Sequence, residues 1–137
     1  MNSTGRLRWF WAVLVVAIVY LVAGLVSAEL ARTATTSQAV VAWRLAAWVI
    51  SAVAFAAHIY YEHVRLHSAS RTTAFHAALA VGLAGFGLAV SASLHGHATN
   101  HPFPVYALAI WPVMTALPAF VVALVAAVLL TRMRSNV

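Results

Sequence analysis

Residues 9–28 read WFWAVLVVAIVYLVAGLVSA, a run in which Ser27 is the one clearly polar side chain. A helix of about 20 such residues crosses the hydrocarbon core of a bilayer. The run follows Arg6 and Arg8 and ends in Val26-Ser27-Ala28, so it also resembles a cleavable signal peptide. Its apolar part is longer than a usual signal core, and we therefore interpret it as a transmembrane helix.

Three further apolar stretches, at about 39–61, 74–94 and 105–130, have the same character. Of the whole chain, 64% is apolar and 7% charged, whereas soluble domains carry about 25% charged residues. Short connections with N-cap residues or proline separate the runs, so consecutive helices are expected to be antiparallel neighbours. The sequence predicts an all-α integral membrane protein with one transmembrane domain, residues 1–137, built as an antiparallel bundle of four transmembrane helices.

Arginine placement predicts the orientation of these helices. If the chain crosses four times, one side of the membrane receives Arg6, Arg8, Arg65, Arg71, Arg132 and Arg134. Positive-inside bias then puts both termini in the cytoplasm, and we expect a bacterial or archaeal cytoplasmic membrane. The arginines form no dense basic cluster, which argues against a nucleic-acid partner despite the net charge of +6.

The second helix carries a polar face. Its members are spaced alternately by four and three positions: Arg44, Trp48, Ser51, Phe55, His58, Glu62 and Arg65. At about 100° per residue they share one side of a helix. Because an ionisable side chain facing lipid is costly, this face should point into the bundle or toward a partner.

Each end of that face allows two interpretations. Arg44 either has a structural role, in which it snorkels to the outer interface or pairs with Glu29, or it contacts an anion or lipid headgroup. His58 and Glu62, one turn apart, form either a hydrogen-bonded pair at the interface, with Arg65 as another partner for Glu62, or a pair that handles protons or binds metal.

Four histidines lie near the cytoplasmic side: His58, His63, His67 and His76. His63 and His67 have metal-binding spacing if the second helix continues past the membrane. His58 and His76 lie at matched depth, which favours them as axial ligands of haem b or as ligands of a divalent metal. Adjacent helices at about 8–10 Å are, however, close for a porphyrin.

A second histidine group occupies the predicted outer loop, with His95, His97 and His101 within seven residues. Neutral imidazoles suit zinc, copper and nickel, so a metal site is one hypothesis. The other is a polar, histidine-rich loop without a ligand, since no acid lies nearby to orient the rings.

Packing signals mark the last two helices. The third has small residues at helical spacing, Ala78, Gly82, Gly85 and Ala89, which favour close helix contact or room for a cofactor or partner helix. The fourth contains Pro112 and Pro118, which predict a kink.

These features limit the function more than they define it. The chain has no Cys, no paired carboxylates and no metalloprotease spacing, so we lean against an enzyme. The leading hypothesis is a structural or accessory subunit that sits in membrane lipid and assembles as a homo-oligomer or with a larger membrane complex. The alternatives are a histidine-ligated metal or haem protein for electron transfer or metal handling, and a small transporter using the kinked fourth helix and the Arg44–Glu62 face.

Overall fold

The computed structural model describes residues 3–98 and 105–135, and all regular elements within these ranges are helical. They are α1 (Ser3–Thr33), α2 (Ser37–Tyr60), a π-helical turn (Tyr61–Arg65), α3 (Ser70–Ala98) and α4 (Ala107–Ser135). Four segments are long and apolar enough to cross a membrane: Leu7–Thr33, Ser37–Arg65, Ser70–Gly96 and Ala107–Met133. The predicted membrane protein with a four-helix bundle is confirmed.

The third helix extends beyond its predicted range at both ends. It was expected at about 74–94 and runs from Ser70 to Ala98. The chain has no proline between the start of α3 and Pro102, and a single glycine such as Gly96 weakens a helix without ending it. His95 and the backbone of His97 are therefore helical, and placing them in the outer loop was wrong.

The ends of α2 are defined by local hydrogen bonds. Thr36 caps the first turn, where its side chain accepts from Ala39 N at 3.2 Å. At the other end the π-helical turn closes with a bond from Leu66 N to Tyr61 O at 3.1 Å. His67 then adopts a φ of 51°, in the left-handed region that ends helices. The helix does not continue through His67, so the His63–His67 spacing does not produce a shared helical face.

The small residues of α3 face α4. A Cβ built on Gly82 would lie 3.3 Å from the Ala116 Cβ, and one built on Gly85 would lie 2.6 Å from Thr115 Oγ1. Ala78 and Ala89 are buried. Because small side chains allow two backbones to approach closely, α3 and α4 form the tightest helix pair in the described part of the bundle.

The order of packing differs from the expected chain of sequential neighbours. α1 lies between α2 and α3, and α2 has few contacts with α3 or α4. The close α2–α3 adjacency inferred from their short connection is therefore not formed. Its absence leaves a lateral cleft between α2 and α4, whose lining includes Ser51, Phe55, Thr115 and Pro118.

α4 continues through both prolines. Between them, the Thr115 hydroxyl lies 3.1 Å from the Trp111 carbonyl oxygen and 3.0 Å from that of Pro112, and the two oxygens share its one hydrogen. A kink at Pro112 and Pro118 stays a prediction.

Candidate functional site

The most concentrated polar chemistry lies around Glu62, in the π-helical turn. The Glu62 side chain is fully buried, and its Oε2 accepts from Ser68 Oγ at 3.2 Å. The same oxygen lies 3.1 Å from His76 Nδ1 on α3. An ionised carboxylate can only accept, so Nδ1 carries the hydrogen when Glu62 is charged. The sequence suggested His58 or Arg65 as the partner of Glu62, and the structure pairs it with His76 instead.

The ring of His76 is held from a second direction. Trp9 of α1 stacks on it, with centroids 4.5 Å apart and planes 5° from parallel. His76 is 8% exposed, so the stack leaves little of the imidazole accessible. The pair joins α1 to α3 at the same level at which Glu62 joins the π-helical turn to α3.

A parallel contact ties the turn to α4. His63 Nε2 lies 3.1 Å from Thr131 Oγ1, and Thr131 donates its hydroxyl hydrogen to the Ala127 carbonyl at 2.9 Å. Because that hydrogen is already used, His63 Nε2 is the donor to Thr131. We call this group of seven side chains the Glu62 cluster: Trp9, His58, Glu62, His63, Ser68, His76 and Thr131.

His58 lies inside the Glu62 cluster but is held differently. It is 3% exposed and near enough to Glu62 and His76 for their charges to interact. Neither ring nitrogen of His58 has a hydrogen-bond partner in the described part of the chain, and the same holds for Glu62 Oε1 and His63 Nδ1. The cluster therefore combines inter-helix bonds with buried polar atoms that can still take up a hydrogen bond or a proton.

The metal and haem hypotheses find limited support in this geometry. Among the described residues, no three His, Asp or Glu side chains are grouped so that they could share a metal ion. His58 and His76 do lie at the same end, but His76 has Nδ1 on Glu62 and one ring face on Trp9. The pair stays a prediction as axial ligands.

The predicted outer histidines, His95, His97 and His101, add no further support for a metal site. His95 Nδ1 lies 2.9 Å from the Ser91 carbonyl oxygen, one helical turn earlier. The His97 side chain and all of His101 lie outside the described residues. The metal site predicted from these three histidines therefore stays a prediction.

The outer half of the α2 polar face is open. Arg44 and Trp48 are exposed, and Ser51 is half-buried at the cleft. Glu29, one suggested partner of Arg44, instead pairs with Arg32 through bonds of 2.6 and 3.0 Å. The predicted face thus divides into a buried inner part, His58 and Glu62, and an exposed outer part.

No family model, no curated protein and no solved structure matches the chain.

Several members of the Glu62 cluster were not singled out by the sequence. Trp9 lies near the start of α1, Ser68 in the α2–α3 connection and Thr131 near the end of α4. The sequence did contain one usable signal. In a bundle that crosses the membrane four times, the start of α1, the α2–α3 connection and the end of α4 all lie on the same side of the membrane. Polar side chains at that level are the natural partners of a buried carboxylate.

Proposed function

We propose that this protein is a structural or accessory membrane subunit that assembles with itself or with a larger complex. We place it in a bacterial or archaeal cytoplasmic membrane with both termini inside. The observation that carries the proposal is an apolar face of α2 whose side chains are more than half exposed.

That face is continuous. Leu45, Val49 and Val53 are 58%, 61% and 65% exposed and are spaced by one helical turn each. In the most apolar stretch of the second span 0% of residues are buried, against 28% in the first, 39% in the third and 11% in the fourth. Val49 lies about 140° around α2 from Arg44, so this face is distinct from the polar one.

A loosely held helix gains from a second packing partner. Inside a bilayer lipid is as apolar as leucine, so helices associate through packing and polar contacts and not through a hydrophobic drive. α2 packs mainly on α1, and its polar ties to α3 and α4 are at its inner end, through Glu62 and His63. A partner helix on the Leu45–Val49–Val53 face would hold its outer half.

The use of the ionisable groups also favours a structural role. In the Glu62 cluster, Glu62 and His63 cross-link the π-helical turn to α3 and α4, and Trp9 adds α1. Buried polar networks of this kind fix one arrangement of helices. They do so here without the grouped ligands that a metal carrier needs among the described residues.

Position-specific cross-linking tests the proposal. The chain has no Cys, so Val49→Cys gives a single reactive thiol. We expect oxidation in native membranes to produce a disulfide-linked dimer, or a photo-activated maleimide on this thiol to capture one defined protein. Val121→Cys, at an α4 position that is 59% exposed, is the matched control and should give neither. A monomer without a position-49 adduct, or equal adducts at both positions, would refute the assembly.

A further inference from the structure

A groove of about 430 Å³ lies between the outer halves of α1 and α2. Its walls combine small residues with two arginines and a tryptophan, among them Gly24, Ser27, Ala47, Arg32, Arg44 and Trp48. The two arginines differ in their partners. Glu29 holds Arg32 through two hydrogen bonds, whereas the structure gives Arg44 no partner among the described residues.

Arg44 is placed well inside the second span. It lies seven residues after Ser37, the first residue of α2, which corresponds to roughly 10 Å along the helix axis. A guanidinium at this depth is costly to leave against hydrocarbon, and it is stabilised by reaching the headgroup level or by an anion. Its planar fork of donors matches the oxygens of a phosphate.

The groove continues directly into the lateral cleft. Gly24, Ala47 and Trp48 line both spaces, and the cleft adds about 640 Å³ between α2 and α4. The cleft lining is mainly apolar, with Phe55 and Leu88 among its residues. One path therefore leads from a cation about two helical turns inside the second span to an apolar cleft deeper in the bilayer.

We propose that this path is a binding site for one anionic glycerophospholipid. Its phosphate lies on Arg44, and an acyl chain passes Ala47 into the cleft between α2 and α4. The lipid comes from the leaflet on the side of the α1–α2 connection. Charge complementarity selects an anionic headgroup, since the zwitterionic headgroup of a phosphatidylcholine brings a second cation to Arg44. The site is separate from the Leu45–Val49–Val53 face and does not depend on the assembly proposed above.

Native mass spectrometry of the purified full chain, titrated with phosphatidylglycerol or phosphatidylcholine, tests the site. We expect the wild-type chain to retain one phosphatidylglycerol and to bind phosphatidylcholine about tenfold more weakly. Arg44→Gln should weaken phosphatidylglycerol binding by a similar factor. Arg44→Lys should weaken it less, because lysine keeps the positive charge but cannot donate two parallel hydrogen bonds to the phosphate. Ala47→Phe should reduce binding by blocking the path while Arg44 is unchanged.

The control is Arg71→Gln, which removes an exposed arginine at the start of α3, at the opposite end of the bundle. It should bind phosphatidylglycerol as the wild type does. Helical circular dichroism and elution volume establish that each variant is folded. Wild-type retention by folded Arg44→Gln and Ala47→Phe would overturn the proposal. So would equal binding of the two lipids, or an equal loss in Arg71→Gln.

Discussion

Glu62 and His76 meet at 3.1 Å in a place where the Glu62 side chain has no exposed surface. They lie 14 residues apart, on opposite sides of the α2–α3 connection. A buried carboxylate without a partner is strongly unfavourable, so this contact fixes how the π-helical turn sits against α3.

Removing one member of this pair should therefore destabilise the bundle. We expect His76→Ala to lower the free energy of unfolding by about 3 kcal/mol, because it leaves Glu62 buried and without its imidazole. The measurement is equilibrium unfolding in mixed micelles followed by circular dichroism. The double variant Glu62→Gln/His76→Ala should recover part of the loss, since no uncompensated charge is left.

The matched control for this pair is Glu29→Gln. Glu29 is also an acid with a cationic partner, but it and Arg32 are exposed, at 58% and 72% of their side-chain surface. Exposed ion pairs contribute little, so we expect almost no change in stability. Equal effects of Glu29→Gln and His76→Ala would mean that burial of the Glu62–His76 pair is energetically unimportant.

Gly85 is the position at which α3 and α4 can least tolerate a side chain. The Cβ of Gly85→Ala would meet Thr115 Oγ1, whose hydrogen is shared between the backbone carbonyls of Trp111 and Pro112. We expect a loss of about 1–3 kcal/mol in the free energy of unfolding, measured in the same micelle assay.

Two comparisons check this explanation. Gly87→Ala places its Cβ 2.9 Å from Leu21 Cδ1, the end of a flexible side chain that can move, and it should lose less stability. Adding Thr115→Ala to Gly85→Ala removes the obstructing oxygen and should restore part of the loss. If Thr115→Ala makes the Gly85→Ala variant still less stable, the clash is not the cause.

Hydropathy was sufficient to predict the fold because length and polarity are local properties. Each span of α1 to α4 could be recognised from its own residues. The order of packing could not, since it depends on which helix surfaces are small enough to meet. Gly82 and Gly85 were visible as a close-packing stripe, but their sequence does not say that α4, and not α2, lies against them.

The sequence predicted the part of the candidate site that lies on the second helix, but not its partner on α3. Periodicity placed His58 and Glu62 on one face of α2, and both are buried. It offered Glu62 partners on its own helix, because spacing along one helix is what a sequence displays. The actual partner, His76, is brought close by the turn at His67 and by the seating of α3, which no local pattern encodes.

Removing the buried hydroxyl of Tyr20, unlike the substitutions at His76 and Gly85, is not expected to lower the free energy of unfolding. Tyr20 is 8% exposed, and its hydroxyl has no hydrogen-bond partner in the described part of the chain. Replacing an unsatisfied buried polar group with an apolar one of the same shape is neutral or stabilising. We expect Tyr20→Phe to leave the unfolding free energy unchanged or to raise it, in the same assay. A clear loss would show that the hydroxyl is bonded in the membrane.

The predicted orientation can be measured with single cysteines, because the chain contains none of its own. Thr35→Cys lies in the α1–α2 connection and Ala69→Cys in the α2–α3 connection, and both positions are exposed. If positive-inside bias places the termini in the cytoplasm, a membrane-impermeant maleimide added to intact cells labels Thr35→Cys and spares Ala69→Cys. Permeabilised cells should show labelling at both. The reverse pattern in intact cells would invert the topology, and it would place Arg44 in the cytoplasmic leaflet together with its proposed lipid.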